Sequence, residues 1–362
     1  MDTRNLVVGS RIAHGGYGAG VVTFVGETYL GITFDDGREG LIQRAALEKD
    51  EPIVPPRAIV HAFLPWPDST FVAEAQDAQH YLGSHWAPFE ADVKVWMLRL
   101  PQIVQEATLQ AGYGEFYPAP RSVPEDWPKG FLLTWPPTAE GMTLALRVEP
   151  EKKATMVVSL FPSFSRGSQC TLTLHEVCVW ESGVEAQITA SWNGGEVTFF
   201  DSRYPINRAW YEAGKQYEFI LTGIAYGARP AEKREWKVQQ HPEVVAWSNR
   251  HLQEGEAPHE RECIVRMDGA AMLLSIDEWD VDDYSFHAPV KSVEEFKDWL
   301  GQDGWRVRAT VMRCDEDCDL DILITRRAWS GEAPPQVGQD IEGRLWLQGY
   351  LWMAERTQVK KR

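Results

Sequence analysis

Two stretches of the chain alternate apolar and polar residues by twos, and each alternation is punctuated by turn residues. Near the N-terminus, Val21-Val22-Thr23-Phe24-Val25 is β-branched and aromatic, the composition of a strand. Tyr29 to Phe34 alternates, Asp35-Asp36-Gly37 interrupts, and Glu39 to Ile42 resumes. Strand, Asp-Gly turn and strand predict a β-hairpin. From Gly130 onward, strand-like runs at 131–135, 142–148, 155–161, 170–180, 184–192, 197–200 and 217–226 are separated by Gly, Pro and Asn turns. Short strands in such succession predict a barrel or sandwich.

Helical spacing is rarer. Val93, Trp96, Met97, Leu100, Ile103, Val104 and Ala107 recur in steps of three and four, which predicts an amphipathic helix that Pro101 should split. Ser292-Val-Glu-Glu295 reads as a capping box leading into Phe296, Trp299 and Leu300, so a helix is expected there too. A repeat is also visible. Val184 to Ala190, Val197 to Asp201, Trp210 and Gly214 to Glu218 are echoed by Trp305 to Val311, Leu320 to Ile324, Trp329 and Gly338 to Glu342. Two related OB-like barrels are the expectation, the second with the inserted helix.

The glycine-rich run from Gly9 to Val22 raises the question of phosphate binding. A phosphate loop places its amides ahead of a helix N-terminus. Here a strand follows, no Lys-Ser or Lys-Thr pair is present, and Gly16-x-Gly18-x-Gly20 is not a dinucleotide fingerprint. The run therefore reads as a turn, where glycine takes positive φ without steric cost. With its surroundings it resembles a known module. Gly9-x-Arg11-Ile12-x-His14-x-x-Tyr17-Gly18-x-Gly20-Val21-Val22, then Ile32-x-Phe34-Asp35-Asp36-Gly37 and Ala46-Leu47, resemble the Tudor-like, SH3-like module at the C-terminus of UvrD-family helicases. The resemblance covers residues 5–48, and the helicase Walker motif is missing. It implies docking onto a protein of the transcription or nucleic-acid machinery, without ATPase activity.

At 362 residues, with 44% hydrophobic and 25% charged residues, the chain is expected to be globular and multidomain. No signal-peptide pattern and no long apolar run are seen, so a cytoplasmic protein without membrane association is expected. The net charge of −17 disfavours phosphate backbones and suits a basic-surfaced protein partner. Five cysteines make no disulfide framework. The close pair Cys314 and Cys318 lacks the second pair that zinc would need, so neither metal nor cofactor is expected.

Candidate chemistry is sparse. Glu295-Phe296-Lys297 resembles the acid-x-lysine element of a nuclease, but the capping box would put it on a helix. Asp277 to Asp283 is acidic without the glycine and terminal glutamate of a calcium loop, and reads as a solvated loop. No histidine pair, nucleophile elbow or cysteine with a nearby base appears, so no catalytic residue is assigned. Among the sixteen tryptophans, Trp66, Trp86, Trp346 and Trp352 sit in polar or Gly/Pro surroundings and are candidates for exposure.

The reading is a mainly β, multidomain α+β protein: a Tudor/SH3-like barrel at 1–50, a linker and helical region at 51–128, and OB-like barrels at 129–240 and 241–362. Its expected role is a non-enzymatic adaptor docking protein partners through Tyr17, Phe24 and Tyr29. A single-stranded nucleic-acid binder using Arg306, Arg308, Arg326 and Arg327 is the first alternative. An enzyme with a site built from scattered residues is the second. The turn reading of the glycine run carries its own test. Calorimetric titration with ATP, GTP and NAD should give no heat beyond dilution, whereas a saturable signal abolished by Gly18→Ala would make the run a phosphate site.

Overall fold

The glycine-rich run does end in a strand. β1 (Arg11–His14), β2 (Gly18–Val25), β3 (Tyr29–Phe34) and β4 (Glu39–Gln43) form an antiparallel sheet in that order, followed by α1 (Arg44–Glu48). Gly37, at φ 88°, closes the β3–β4 turn, a conformation glycine adopts without strain. Ile12, Val22, Leu30, Ile32, Phe34, Ile42 and Leu47 form the core. The structure is a computed structural model. It describes residues 3, 5–14, 18–48, 71–72, 84–90, 92, 94–110, 127–137, 140–180, 182–232, 235–252, 257–276, 279–314 and 316–353. Among the described residues strand outweighs helix, 57% against 12%.

The chain divides into two compact units, one of Met1–Arg57 with Lys233–Asp268, the other of Ala58–Glu232 with Gly269–Arg362. The second begins with β5 (Phe71–Val72) and α2 (Lys94–Glu106). Pro101 lies inside α2 without splitting it, because Trp96 and Ile103, on either side of the proline, are both buried. Tertiary packing outweighs the hydrogen bond that proline removes. A four-stranded antiparallel sheet follows: β6 (Thr108–Leu109), β7 (Lys129–Trp135), β8 (Glu140–Glu149) and β9 (Ala154–Phe164).

Among the described residues the largest sheet has ten strands. β10 (Ser168–Trp180), β11 (Ala186–Trp192) and β12 (Gly195–Asp201) run as an antiparallel meander; α3 (Tyr204–Asn207) leads to β13 (Gln216–Pro230). The chain then returns to the first unit with β14 (Glu235–Gln239), α4 (Pro242–Arg250) and β15 (Glu262–Arg266). Back in the second unit come β16 (Met272–Ser275), β17 (Asp283–Trp299), β18 (Gln302–Arg313), β19 (Asp317–Thr325) and β20 (Asp340–Met353). β17, β18 and β19 form a second antiparallel meander.

The two meanders close on the same pair of strands. β13 and β20 pair antiparallel along most of their length. β12 joins β20 in parallel and β13 joins β10, completing one circuit. β19 joins β13 in parallel and β20 joins β17, completing the other. The two echoed sequence segments fall on corresponding strands of these circuits, so ranges 129–240 and 241–362 contribute to one sheet. The expected helix at Ser292–Glu295 is not formed. Those residues belong to β17, with Ser292 opposite Arg308 and Glu295 opposite Trp305. The capping box is a local signal, and cross-strand pairing overrides it. The Phe296 ring lies where a Cβ on Gly304 would stand, 2.5 Å from its Cζ, a packing a helix could not supply.

The β13–β20 pairing yields a contrast. A Cβ on Gly343 would lie 2.2 Å from the Gly227 carbonyl oxygen and 2.9 Å from the Ala228 Cα, whereas one on Gly227 would meet nothing closer than 3.9 Å. Thermal melts should show Gly343→Ala destabilised by about 1–3 kcal/mol and Gly227→Ala within about 0.5 kcal/mol of wild type.

Candidate functional site

In the first unit, the residues expected to dock a partner already carry a helix of their own chain. α4 starts with Pro242 at its first turn, and the His241 Nδ1 accepts the Glu243 N–H. Proline there loses no needed donor, and Glu243 and Arg250 suit the two ends of the helix dipole. The Glu243 carboxylate accepts from the backbone N–H groups of Glu27, of Thr28 at 2.9 Å and of Tyr29 at 2.9 Å. Desolvation works against its charge, but the three N–H bonds outweigh it and hold the carboxyl below the ordinary glutamate range.

Phe24 is buried, and the Arg250 guanidinium lies 4.8 Å from its ring centroid. Tyr29 is half-buried, with its ring 5.3 Å from that of His241 and its hydroxyl accepting from Gln43. Trp247 lies against Gly31, and His251 meets Glu39 at 3.1 Å. Tyr17 lies outside the described residues.

The four arginines of the nucleic-acid alternative are each engaged. Arg306 bonds the buried Asp321 at 2.8 Å and also meets Glu294; Arg308 lies 3.9 Å from Asp319. Arg326 stacks on Trp305, and Arg327 donates to the Ala87 carbonyl. The acid-x-lysine element lies on a strand, not a helix, and Lys297 is shared between Glu295 and Asp303. Among the described residues no three His, Cys, Asp or Glu side chains gather as metal ligands. No described helix is long and apolar enough to cross a membrane. Of the tryptophans expected at the surface, Trp86 and Trp346 are fully buried and Trp352 is exposed; Trp66 lies outside the described residues.

The second unit holds a buried polar chain that local sequence patterns do not reveal. The β13–β20 register slips between Ala225 and Gly227, leaving Tyr226 as the extra residue of a bulge, a device that re-aims a side chain. Its hydroxyl donates to Asp283 Oδ1 at 2.5 Å, and His85 Nδ1 lies 2.6 Å from the Tyr226 hydroxyl oxygen. With the tyrosine proton directed at Asp283, His85 donates from Nδ1. The imidazole stacks on Trp346 at 4.1 Å, and that indole donates to Asp282 Oδ2 at 3.0 Å.

Burial shifts the titration of His85, Asp282 and Asp283. It holds the His85 pKa down to about 3. It raises Asp283 to about 7 against the opposing Tyr226 bond, and raises Asp282 as well. The acidic run expected to be a solvated loop thus sends Asp282 and Asp283 into the core. The arrangement pairs a neutral imidazole with a carboxyl that exchanges a proton near neutrality. Compared with known protein families, curated proteins and solved structures, the chain matches none.

A group whose pKa rises on folding stabilises the fold while protonated. The contribution of Asp283 is complete below pH 3.8, its ordinary value, and lost as pH rises through about 7. Asn keeps an acceptor for Tyr226 but no titration. The melting temperature of wild type relative to Asp283→Asn should therefore fall as pH rises from 3.8 to 7 and level off above. A difference constant across that range would show that the carboxyl ionises normally.

Proposed function

We propose that the chain is a non-enzymatic, multidomain adaptor whose first unit, a Tudor/SH3-like module, docks a protein partner of the transcription or nucleic-acid machinery. The observation that carries the reading is the face at Phe24, Tyr29 and Gly31, which binds an amphipathic helix through a carboxylate, an indole and a guanidinium. Helix-in-groove recognition of this kind is a recurrent mode of protein docking. In the same reading the two circuits of the second unit are OB-like barrels, each a five-stranded Greek key that borrows its last strand from the other copy. The net charge of −17 and the engagement of Arg306, Arg308, Arg326 and Arg327 favour a protein partner over nucleic acid.

Affinity purification of the full chain from its host, beside a Tyr29→Ala variant with an unchanged melting curve, tests the reading. The variant should lose partner affinity by about 1–3 kcal/mol. A variant that keeps every partner would overturn the assignment of this face. Tight single-stranded oligonucleotide binding at physiological salt, weakened by Arg308→Ala, would replace the adaptor with the nucleic-acid reading.

A further inference from the structure

The face that holds α4 is specific about what it holds. Three consecutive amides, those of Glu27, Thr28 and Tyr29, converge on one carboxylate. A Cβ on Gly26 would strike Glu243 Oε2 at 2.2 Å, and one on Gly31 would strike Trp247 Nε1 at 2.7 Å. The two glycines therefore leave room for an acid and an indole. Phe24 presents its ring to the Arg250 guanidinium. Glu243, Trp247 and Arg250 stand at i, i+4 and i+7, one face of a helix.

The bond to α4 is made of separable contacts. No residue of α4 is fully buried, whereas Val22, Leu30 and Ile32 of the sheet beneath are wholly so. Trp247 Nε1 finds no acceptor among the described residues. A helix of nine residues is marginal in water by itself, and exposed polar contacts such as that of His251 with Glu39 add little. The seat is specific and its occupant lightly held.

We propose that this face reads helices bearing Glu, Trp and Arg at i, i+4 and i+7, that α4 occupies it in cis, and that a protein partner presenting such a helix binds by exchange with α4. The inference rests on the docking reading of the first unit and names the partner's chemistry. The carboxylate answers the three amides, the indole the flat seat over Gly31, and the cation the Phe24 ring.

The test uses the full chain and its Glu243→Ala/Trp247→Ala double variant. Each is titrated with a fluorescein-labelled peptide carrying the sequence from Gln240 to Leu252, followed by anisotropy. The double variant, its own helix weakened, should bind the peptide at least about tenfold more tightly than wild type; a peptide with the tryptophan replaced by alanine should not bind. A second measurement needs no variant. In wild-type chain, hydrogen exchange of α4 amides should be faster than that of β2 and β3, as for an element that opens separately. A peptide that binds neither chain, or both alike, overturns the proposal, and so does an α4 that exchanges in step with β2 and β3. Should the double variant not fold, the exchange measurement decides alone. Failure here with partner capture by the full chain intact would leave the adaptor standing through another surface and remove only the helix reader.

Discussion

The antiparallel ribbon of β13 and β20 is the constraint on which the second unit depends. Each four-strand repeat needs the last strand of the other to close its circuit, so neither closes alone. The ribbon is consequently apolar on both faces. Phe219, Leu221 and Ala225, with Leu345 and Leu347, enter one core, and Ile224 with Trp346 enters the other. Strands buried on both sides lose the usual alternation and read as continuous apolar runs, as Phe219-Ile220-Leu221 and Leu345-Trp346-Leu347 do. Close approach of the two strands excludes a side chain at Gly343, beneath the Gly227 carbonyl.

Burying a ribbon on both faces also buries whatever polar groups the strands bring with them. The protein meets part of that cost with tyrosine–carboxyl pairs. Asp283 receives the Tyr226 hydroxyl, and Asp201 receives that of Tyr211; burial raises both carboxyls to about 7. Desolvation outweighs the tyrosine bond at both sites, and at Asp201 the nearby Arg203 as well, so each carboxyl retains a proton further into the neutral range. Arg306 with Asp321 is the contrasting case, a guanidinium paired with a buried carboxylate and reaching the surface at Glu294.

What could be read in the sequence was what short-range patterns determine. The β3–β4 hairpin was legible because the Asp-Gly turn and both strands lie within a few residues. The repeat was legible because its strands and the two tryptophans, Trp210 and Trp329, keep their order along the chain. The Ser292 capping box misled for the same reason: it is complete within four residues, while the pairing that overrides it comes from β18. The buried polar chain had no short-range signal. His85 and Tyr226 are 141 positions apart, and Tyr226 and Asp283 are 57 apart. Nothing near His85 marked it, and Asp283 was hidden at the end of a run whose other acids suggested solvent.

The same distance explains why an aromatic face near the N-terminus looked available for a partner. Glu243 reaches the β2–β3 turn across 214 to 216 positions, from a segment that leaves β13 and rejoins the chain at β16. Sequence reasoning finds an unpaired aromatic surface but not the element that later covers it. Coverage of this kind is chemically unlike the ribbon between β13 and β20. The ribbon is sealed by buried side chains such as Phe219, Leu345 and Trp346, whose separation would open two cores at once. The α4 seat is held by backbone amides, a ring face and a half-buried indole, all of which water or another helix can satisfy in turn. A contact whose parts are replaceable one by one is suited to exchange, and one whose parts are buried together is suited to permanence; this chain uses the two for different units.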